Sequence, residues 1–259
     1  ALIFFMERVR ATLGLAAPQR HIGCGDHFVC FSGGGWLAMY NLGVIKYMIE
    51  FRERLHNYKV TGVSVGGWIA MLYVRMRAME GETWRPLFEQ TVERTLELAD
   101  VNRKNWFEGR LTLMQQGIES LVRPQVKEGW KGYNGSLFIP VTELVTWRRG
   151  FMRYRVEEWF KDGDHLIDTL ACSASIPGVQ DWPMREYVDG AFLNNMPRFG
   201  VSTIRVSFMW FAAAEVKPTR GAFSFTPLDV CRPPSSAYIL MLVDQGYKDA
   251  ERYFSDRLT

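Results

Sequence analysis

Short apolar runs alternate with longer amphipathic segments along most of the chain. Residues 28–32 and 58–63 have the pattern of buried strands, and the helical patterns of residues 36–54 and 65–77 follow them. Further strands are predicted over residues 137–142, 151–156, 186–188 and 203–211, and further helices over residues 82–129, 164–173 and 233–254. This alternation predicts an α/β fold of three layers, with a mainly parallel central sheet and helices on both faces.

Two features mark the ends and breaks of these elements. Pro86 and Pro124 are expected to interrupt the helical region, because proline removes an intrahelical N–H donor. Residues 2–15 are amphipathic and predict a helix that packs on the body of the protein, with a position on lipid as the alternative. Without an internal repeat or a low-complexity linker, residues 1–259 are expected to form one domain, whose motif-bearing core covers about residues 28–211.

Composition limits the classes of function. The 259 residues are 47% hydrophobic and 14% aromatic, but they contain no apolar run of about 18 residues that would span a membrane. A net charge of +3 is too small to indicate nucleic-acid binding and is compatible with contact with an anionic lipid surface. The four cysteines show no Cys-x-x-Cys spacing, so we expect reduced thiols, a cytoplasmic location and no metal or organic cofactor.

The strongest chemical signal is a Gly-x-Ser-x-Gly motif over residues 62–66, placed between a predicted strand and a predicted helix. In that context a sharp turn lifts the hydroxyl of Ser64 out of the fold, and the flanking glycines avoid a Cβ clash. The helix that follows directs unpaired amides toward charge that develops beside the serine. The motif therefore predicts a nucleophile at Ser64, whereas an isolated motif would indicate only a tight turn.

A second motif, Gly33-Gly34-Gly35, joins another strand to another helix. Successive glycine amides in such a loop form an anion site. A P-loop would require Gly-Lys-Ser/Thr where Trp36 follows, and a dinucleotide motif would require glycine in place of Ala38. The loop is therefore predicted to bind the oxyanion of an acyl-transfer intermediate.

A serine nucleophile requires a base, and Asp189 is the better candidate. The chain has four histidines, none after His165, and His165 itself lies in a polar stretch typical of a helix start. Asp189 follows a short predicted strand and precedes Gly190, where its carboxylate could take the serine proton directly. A Ser-His-Asp esterase that uses His165 remains the alternative. The pH profile of a Ser–Asp pair is expected to show an acidic ionisation rather than one near the histidine value of about 6.5.

In this order, the three motifs resemble those of the patatin-like lipid acyl hydrolases. The segments 32–37, 172–177, 187–191 and 195–197 are similar to the animal branch that includes adipose triglyceride lipase and adiponutrin. The resemblance implies a Ser64–Asp189 dyad, an oxyanion loop at Gly33, Gly34 and Gly35, and no cofactor. One departure is Ala38, which stands where the family has the last glycine of the oxyanion motif.

The function implied is hydrolysis of acylglycerol esters, of the triacylglycerol lipase type, with phospholipids as a further substrate class. The implied partners are a lipid ester and, through peripheral contact, a membrane or lipid-droplet surface. The alternative from another class is a catalytically weak lipid-surface binding protein with the same fold, which Ala38 alone supports. Trp36 and Trp68 are predicted to contact the substrate, although aromatic residues near helix starts more often belong to the core. A wider predicted lining of an acyl channel comprises Trp36, Met39, Tyr40, Trp68, Trp182 and Met184.

Overall fold

A six-stranded sheet forms the centre of the computed structural model. The structure describes residues 26–51, 57–104, 129–144, 152–176 and 187–258, together with isolated helical positions from 117 to 126. The strands are β1 (His27–Phe31), β2 (Lys59–Gly62), β3 (Leu137–Leu144), β4 (Met152–Glu157), β5 (Tyr187–Val188) and β6 (Ser202–Val206). Their order is β4-β3-β2-β1-β6, and β5 pairs with β3. The pairs among β6, β1, β2 and β3 are parallel, whereas β4 and β5 run antiparallel to β3. The predicted fold class is confirmed.

Five helices whose bounds the structure describes pack around this sheet. They are α1 (Tyr40–Glu50), α2 (Val65–Arg77), α3 (Trp84–Lys104), α4 (Gly163–Ser173) and α5 (Ser236–Leu258). Helices α1 and α2 are buried along almost their whole length, as expected for helices between a sheet and an outer layer. No helix among the described residues is both long enough and apolar enough to cross a membrane.

The register of β3 determines where the neighbouring chain segments meet. β4 occupies one edge of β3 from Ile139 to Leu144. β2 pairs with the start of the other edge, with Thr61 opposite Phe138, and β5 pairs with its end, with Val188 opposite Thr142. β2 and β5 therefore lie in line along one edge of β3 and approach each other head-on.

Two predicted element boundaries were wrong. Helix α3 runs through Pro86 without a break, because a proline in the first turn occupies a position whose N–H has no intrahelical acceptor. The described positions between 117 and 129 are all helical and include Pro124, and the predicted break at Pro124 stays a prediction. β6 ends at Val206 instead of Phe211, because the amide of Ser207 already turns to the carbonyl of Val216. The helix predicted over residues 2–15 lies outside the described residues.

Helices α1 and α5 touch through their backbones at two glycines. A Cβ atom on Gly43 would lie 1.8 Å from the carbonyl oxygen of Val243, and one on Gly246 would lie 1.9 Å from that of Tyr40. Beside this contact, the hydroxyl of Tyr40 donates to the buried carboxylate of Asp249 at 2.9 Å. Because Tyr40 directly follows the turn that carries Gly35–Met39, the α1–α5 contact supports the glycine loop from behind.

Replacement of Gly43 by alanine should destabilise the protein by about 3 kcal/mol, since neither helix backbone can yield without moving the other. The melting temperature should fall by roughly 5–10 °C in thermal unfolding followed by circular dichroism. Gly132→Ala is the control, because a Cβ at that position meets nothing within 4 Å. Equal melting temperatures for the two variants would contradict the close helix contact.

Candidate active site

Ser64 occupies the sharp turn between β2 and α2. Its backbone angles are φ 56° and ψ −133°, and it is the one non-glycine residue with positive φ in the described chain. Such a conformation costs of order 1–3 kcal/mol and persists only where the surroundings enforce it. A Cβ on Gly62 would lie 2.1 Å from the carbonyl oxygen of Gly66, and one on Gly66 would lie 2.4 Å from that of Phe31. Both glycines of the motif are therefore required by close backbone contacts.

The structure brings Asp189 to Ser64. Asp189 follows β5 directly and Ser64 follows β2 within two residues, so both reach the middle of the shared edge of β3. The side chain of Ser64 lies beside the carboxyl group of Asp189, close enough to lower the pKa of that carboxyl by acting as a hydrogen-bond donor. Both residues are buried, with 5% and 3% of their surfaces exposed. Two residues 125 positions apart therefore meet because β2 and β5 approach each other head-on.

Several bonds hold the Asp189 turn in place. Its backbone amide donates to the carbonyl of Ser175 at 2.6 Å, and Thr142 Oγ1 donates to its carbonyl at 3.1 Å. Its side chain also accepts a bond of 2.7 Å from the amide of Ala191. Gly190 must be a glycine, since a Cβ there would lie 2.5 Å from the carbonyl oxygen of Pro140.

Burial controls the ionisation of Asp189. Loss of hydration raises its pKa from 3.8 to about 7, although the hydrogen bonds from Ser64 and from the Ala191 amide act in the opposite direction. This value lies in the range expected for histidine, so the predicted acidic ionisation is wrong. A pH profile alone therefore cannot distinguish this aspartate from a histidine base.

Ser173, at the end of α4, belongs to the site, but the sequence motifs assigned it no role. Its Oγ donates to the carbonyl of Pro140 at 2.6 Å and accepts from the amide of Ser64 at 3.2 Å. It thereby connects the turn at Ser64 to β3. A serine in the last turn of a helix carries no recognisable sequence signal of such a bridge.

His165 lies at the other end of the same helix. Its amide donates to the N-cap residue Asp162, and its Nδ1 accepts from the amide of Lys161. The eight residues from His165 to Ser173 span about 12 Å of helix. His165 therefore cannot contact Ser64. His27 lies at the start of β1, at the opposite end of the parallel strands from Ser64. His21 and His56 lie outside the described residues.

The predicted oxyanion loop lies next to Ser64, and each of its glycines touches a different neighbour. A Cβ on Gly33 would lie 2.8 Å from the Cβ of Ser64, and one on Gly34 would lie 2.1 Å from the ring of Phe208. Gly35 has φ +53°, and a Cβ there would lie 2.0 Å from the carbonyl oxygen of Val230. The loop is thus enclosed on three sides.

The amides of this loop are not equally available. The N–H of Gly33 donates to Oδ1 of Asn195 at 2.9 Å, whereas those of Gly34 and Gly35 donate to no described residue. The amide of Val65 is also unpaired among the described residues, because it opens α2 and has no acceptor four residues earlier. The unpaired amides of the glycine loop and of the turn at Ser64 are therefore those of Gly34, Gly35 and Val65.

The two tryptophans predicted to contact substrate lie in the core. Trp36 and Trp68 have 0% and 1% of their surfaces exposed, and neither indole N–H has a partner among the described residues. Contact of either ring with an acyl chain stays a prediction. Trp182 and Met184 lie outside the described residues. No cluster of three or more metal-binding side chains occurs in the part of the chain that the structure describes.

A family model for patatin-like phospholipases matches residues 29–200 of the chain, which include Ser64, Asp189 and all three loop glycines. The chain belongs to this family. A comparison with curated protein sequences gave no match.

Among solved structures, the type III effector protein ExoU is similar at 14% identity over 88% of this chain, with a TM-score of 0.38. The chain spans 53% of the length of ExoU. The nearer resemblance to adipose triglyceride lipase and adiponutrin stays a prediction.

Asp189→Asn should make the protein more stable at pH 8. Because the pKa of Asp189 is higher in the folded chain than its ordinary value of 3.8, the folded state binds more protons between about pH 4 and 7. The free energy of unfolding therefore falls as the pH rises through this range, and a neutral asparagine escapes that loss. Thermal unfolding at pH 5 and pH 8 should show an advantage for the variant that is present only at the higher pH.

Asp244→Asn is the matched control, because Asp244 is an exposed partner of Lys248 on α5. This variant should show no gain in stability between the two pH values. A lower melting temperature for Asp189→Asn than for the wild type at pH 8 would show that the carboxyl group is not held out of water.

Proposed function

We propose that the protein is a serine lipid acyl hydrolase that cleaves carboxylic esters of acylglycerols, with phospholipids as a second substrate class. The observation that carries this proposal is the buried contact between the side chains of Ser64 and Asp189 in a patatin-like chain. A carboxylate with a pKa of about 7 is suited to accept a proton near neutral pH, because a general base is most effective when its pKa is close to the working pH.

In the proposed reaction, Asp189 takes the hydroxyl proton of Ser64 while Oγ bonds to the ester carbonyl carbon. The carbonyl oxygen becomes negative and accepts hydrogen bonds from the amides of Gly34, Gly35 and Val65. Collapse of this intermediate breaks the bond to the alcohol, which leaves with the proton from Asp189. Water then attacks the acyl-serine, again with Asp189 as the base, and releases the fatty acid and Ser64.

The Ser–Asp pair is favoured over a Ser-His-Asp triad by the position of the described histidines. Neither His165 nor His27 is close enough to Ser64 to exchange a proton with it. The alternative of a catalytically weak lipid-binding protein gains no support from Ala38. Ala38 is fully buried in the 3₁₀ turn over Gly35–Met39, behind the three glycines rather than beside Ser64.

Three variants test the proposed pair on one short-chain ester. Ser64→Ala should abolish turnover, Asp189→Asn should lower kcat by several orders of magnitude, and His165→Ala should be nearly silent. The wild-type rate should rise with pH to a plateau with a midpoint near 7. A fluorophosphonate should label the wild type and not Ser64→Ala. An inactive His165→Ala variant beside an active Asp189→Asn variant would replace this proposal with the triad.

An exposed aromatic surface beside the loop supports the proposed contact with lipid. The chain that leaves β6 places the ring of Phe208 over Gly34 and then exposes Trp210 and Phe211, by 37% and 40% of their surfaces. These two rings meet edge-on at 5.3 Å, and the guanidinium of Arg220 lies 5.3 Å from the Trp210 ring. Tryptophan and arginine together suit an interface between headgroups and acyl chains.

This aromatic surface follows the carboxyl end of β6, which lies beside the carboxyl end of β1. It therefore lies at the same end of the sheet as Ser64, because Ser64 follows the carboxyl end of the parallel strand β2. Glu215, the one acidic residue of the segment 207–226, is paired with Arg205, which leaves Lys217 and Arg220 as its uncompensated charges. We propose that this end of the sheet faces an anionic membrane or a lipid droplet and that the protein resides in the cytoplasm.

Trp210→Ala with Phe211→Ala should weaken binding to phosphatidylcholine vesicles that contain phosphatidylglycerol, by roughly tenfold or more. Sedimentation of vesicles with bound protein measures the effect, and hydrolysis of a soluble short-chain ester should be unchanged. Trp159→Ala is the matched control. Trp159 is 66% exposed, but it follows the antiparallel strand β4 and therefore lies at the opposite end of the sheet, where the parallel strands begin. Equal losses for the two variants would remove the lipid-facing role of this surface.

A further inference from the structure

The side chain of Asn195 occupies the space between the glycine loop and the turn that carries Asp189. Asn195 is 7% exposed, and its Oδ1 accepts the N–H of Gly33 at 2.9 Å. A Cβ on Gly33 would lie 3.1 Å from this Oδ1 and 2.8 Å from the Cβ of Ser64. The amide of Asn195, the backbone of Gly33 and the side chain of Ser64 therefore converge within a few ångströms.

The bond from Gly33 fixes the orientation of the Asn195 amide. An N–H donor must face the oxygen, so Oδ1 points to Gly33 and Nδ2 is the other end of the group. Nδ2 is buried and has no hydrogen-bond partner among the described residues. A buried amide nitrogen without an acceptor is costly and uncommon, and it calls for an explanation.

The neighbouring asparagine differs in both respects. Asn194 is only partly buried, and its Oδ1 accepts the amide of Met196 at 3.3 Å, two residues ahead in the same turn. That bond is local and shapes the turn. Asn195 instead bonds across 162 residues to the loop beside Ser64 and leaves its own donor unused.

Occupation of the Gly33 amide changes the set of donors near Ser64. Gly33 was predicted to donate to the oxyanion, but its N–H is already engaged by Asn195. Side-chain amides of asparagine serve as oxyanion donors as well as backbone N–H groups do. In this arrangement Asn195 removes one donor from the site and holds another, Nδ2, at the same location.

We propose that Asn195 is a further catalytic residue of the reaction proposed above, on which this inference rests. Its Oδ1 anchors the glycine loop, and its Nδ2 donates to the ester oxygen as that oxygen becomes negative. No acceptor is present before substrate arrives, which accounts for the unpaired nitrogen. The donor is then used only when charge develops, and this timing lowers the barrier rather than strengthening ground-state binding.

Two variants separate the anchor from the donor. Asn195→Asp keeps an acceptor for Gly33 and removes both N–H groups, whereas Asn195→Ala removes acceptor and donor without adding a charge. Both should lower kcat on a carboxylic ester by about 10²–10³-fold with KM changed only a few-fold. Asn194→Asp is the matched control and should retain wild-type kcat. Melting temperatures of all variants report whether the fold is intact.

A thionoester of the same acid and alcohol supplies the readout that a structural defect would not move. Its sulfur accepts hydrogen bonds poorly, so loss of a donor should slow the ester far more than the thionoester. The ester-to-thionoester ratio of kcat/KM should fall in both Asn195 variants. A displaced Ser64 or Asp189 would slow both substrates equally and leave this ratio unchanged.

The outcomes distinguish this inference from the function on which it rests. A wild type that neither hydrolyses esters nor reacts with a fluorophosphonate would overturn the proposed function. An active wild type whose kcat survives in Asn195→Asp would overturn the inference alone, as would an unchanged ester-to-thionoester ratio in a folded Asn195→Ala variant. A selective loss with the ester in both variants supports Asn195 as a donor.

Discussion

The contact between the side chains of Ser64 and Asp189 is the one on which the proposed chemistry depends, and it exists only because the sheet brings two chain segments together head-on. β2 and β5 share one edge of β3, and both end before its middle. Pro140 lies in this gap, where its lack of an N–H leaves no donor unpaired and its carbonyl accepts from Ser173. The sheet thus leaves a space of a few residues in which side chains, rather than strands, meet.

Close backbone contacts hold this space open in one conformation. Gly66 and Gly190 each touch the carbonyl of another segment, and Gly62 touches the carbonyl of Gly66 in the same turn, at distances that exclude any Cβ. These contacts join the turn at Ser64, the end of β1 and the turn at Asp189 into one unit. The positive φ of Ser64 is maintained by this unit, since an isolated turn would relax toward an ordinary conformation.

Much of this arrangement could be predicted from local sequence. Strand, turn and helix around Ser64 follow from apolar runs and glycine spacing, and the strand before Asp189 follows in the same way. Features that depend on distant pairs could not be predicted, such as the bond of Asn195 to Gly33 across 162 residues. The pKa of Asp189 was mispredicted for a related reason, because burial depends on the whole fold while the residue type suggests an ordinary carboxylate. The end of β6 at Val206 also depends on a tertiary bond, from Ser207 to Val216.

The proposed aspartate base would impose a condition on the substrate that a histidine base does not. Imidazole has a pKa near neutrality in water, but a carboxylate reaches about 7 here only because water is excluded. Admission of water would return the pKa toward 3.8 and leave a much weaker base. The same dryness strengthens every hydrogen bond to the developing oxyanion. An acyl chain that fills the site keeps water out, whereas a small polar ester brings water with it. If Asp189 is the base, as we propose, its burial favours lipid esters through the strength of the base itself, in addition to any apolar contact with the chain.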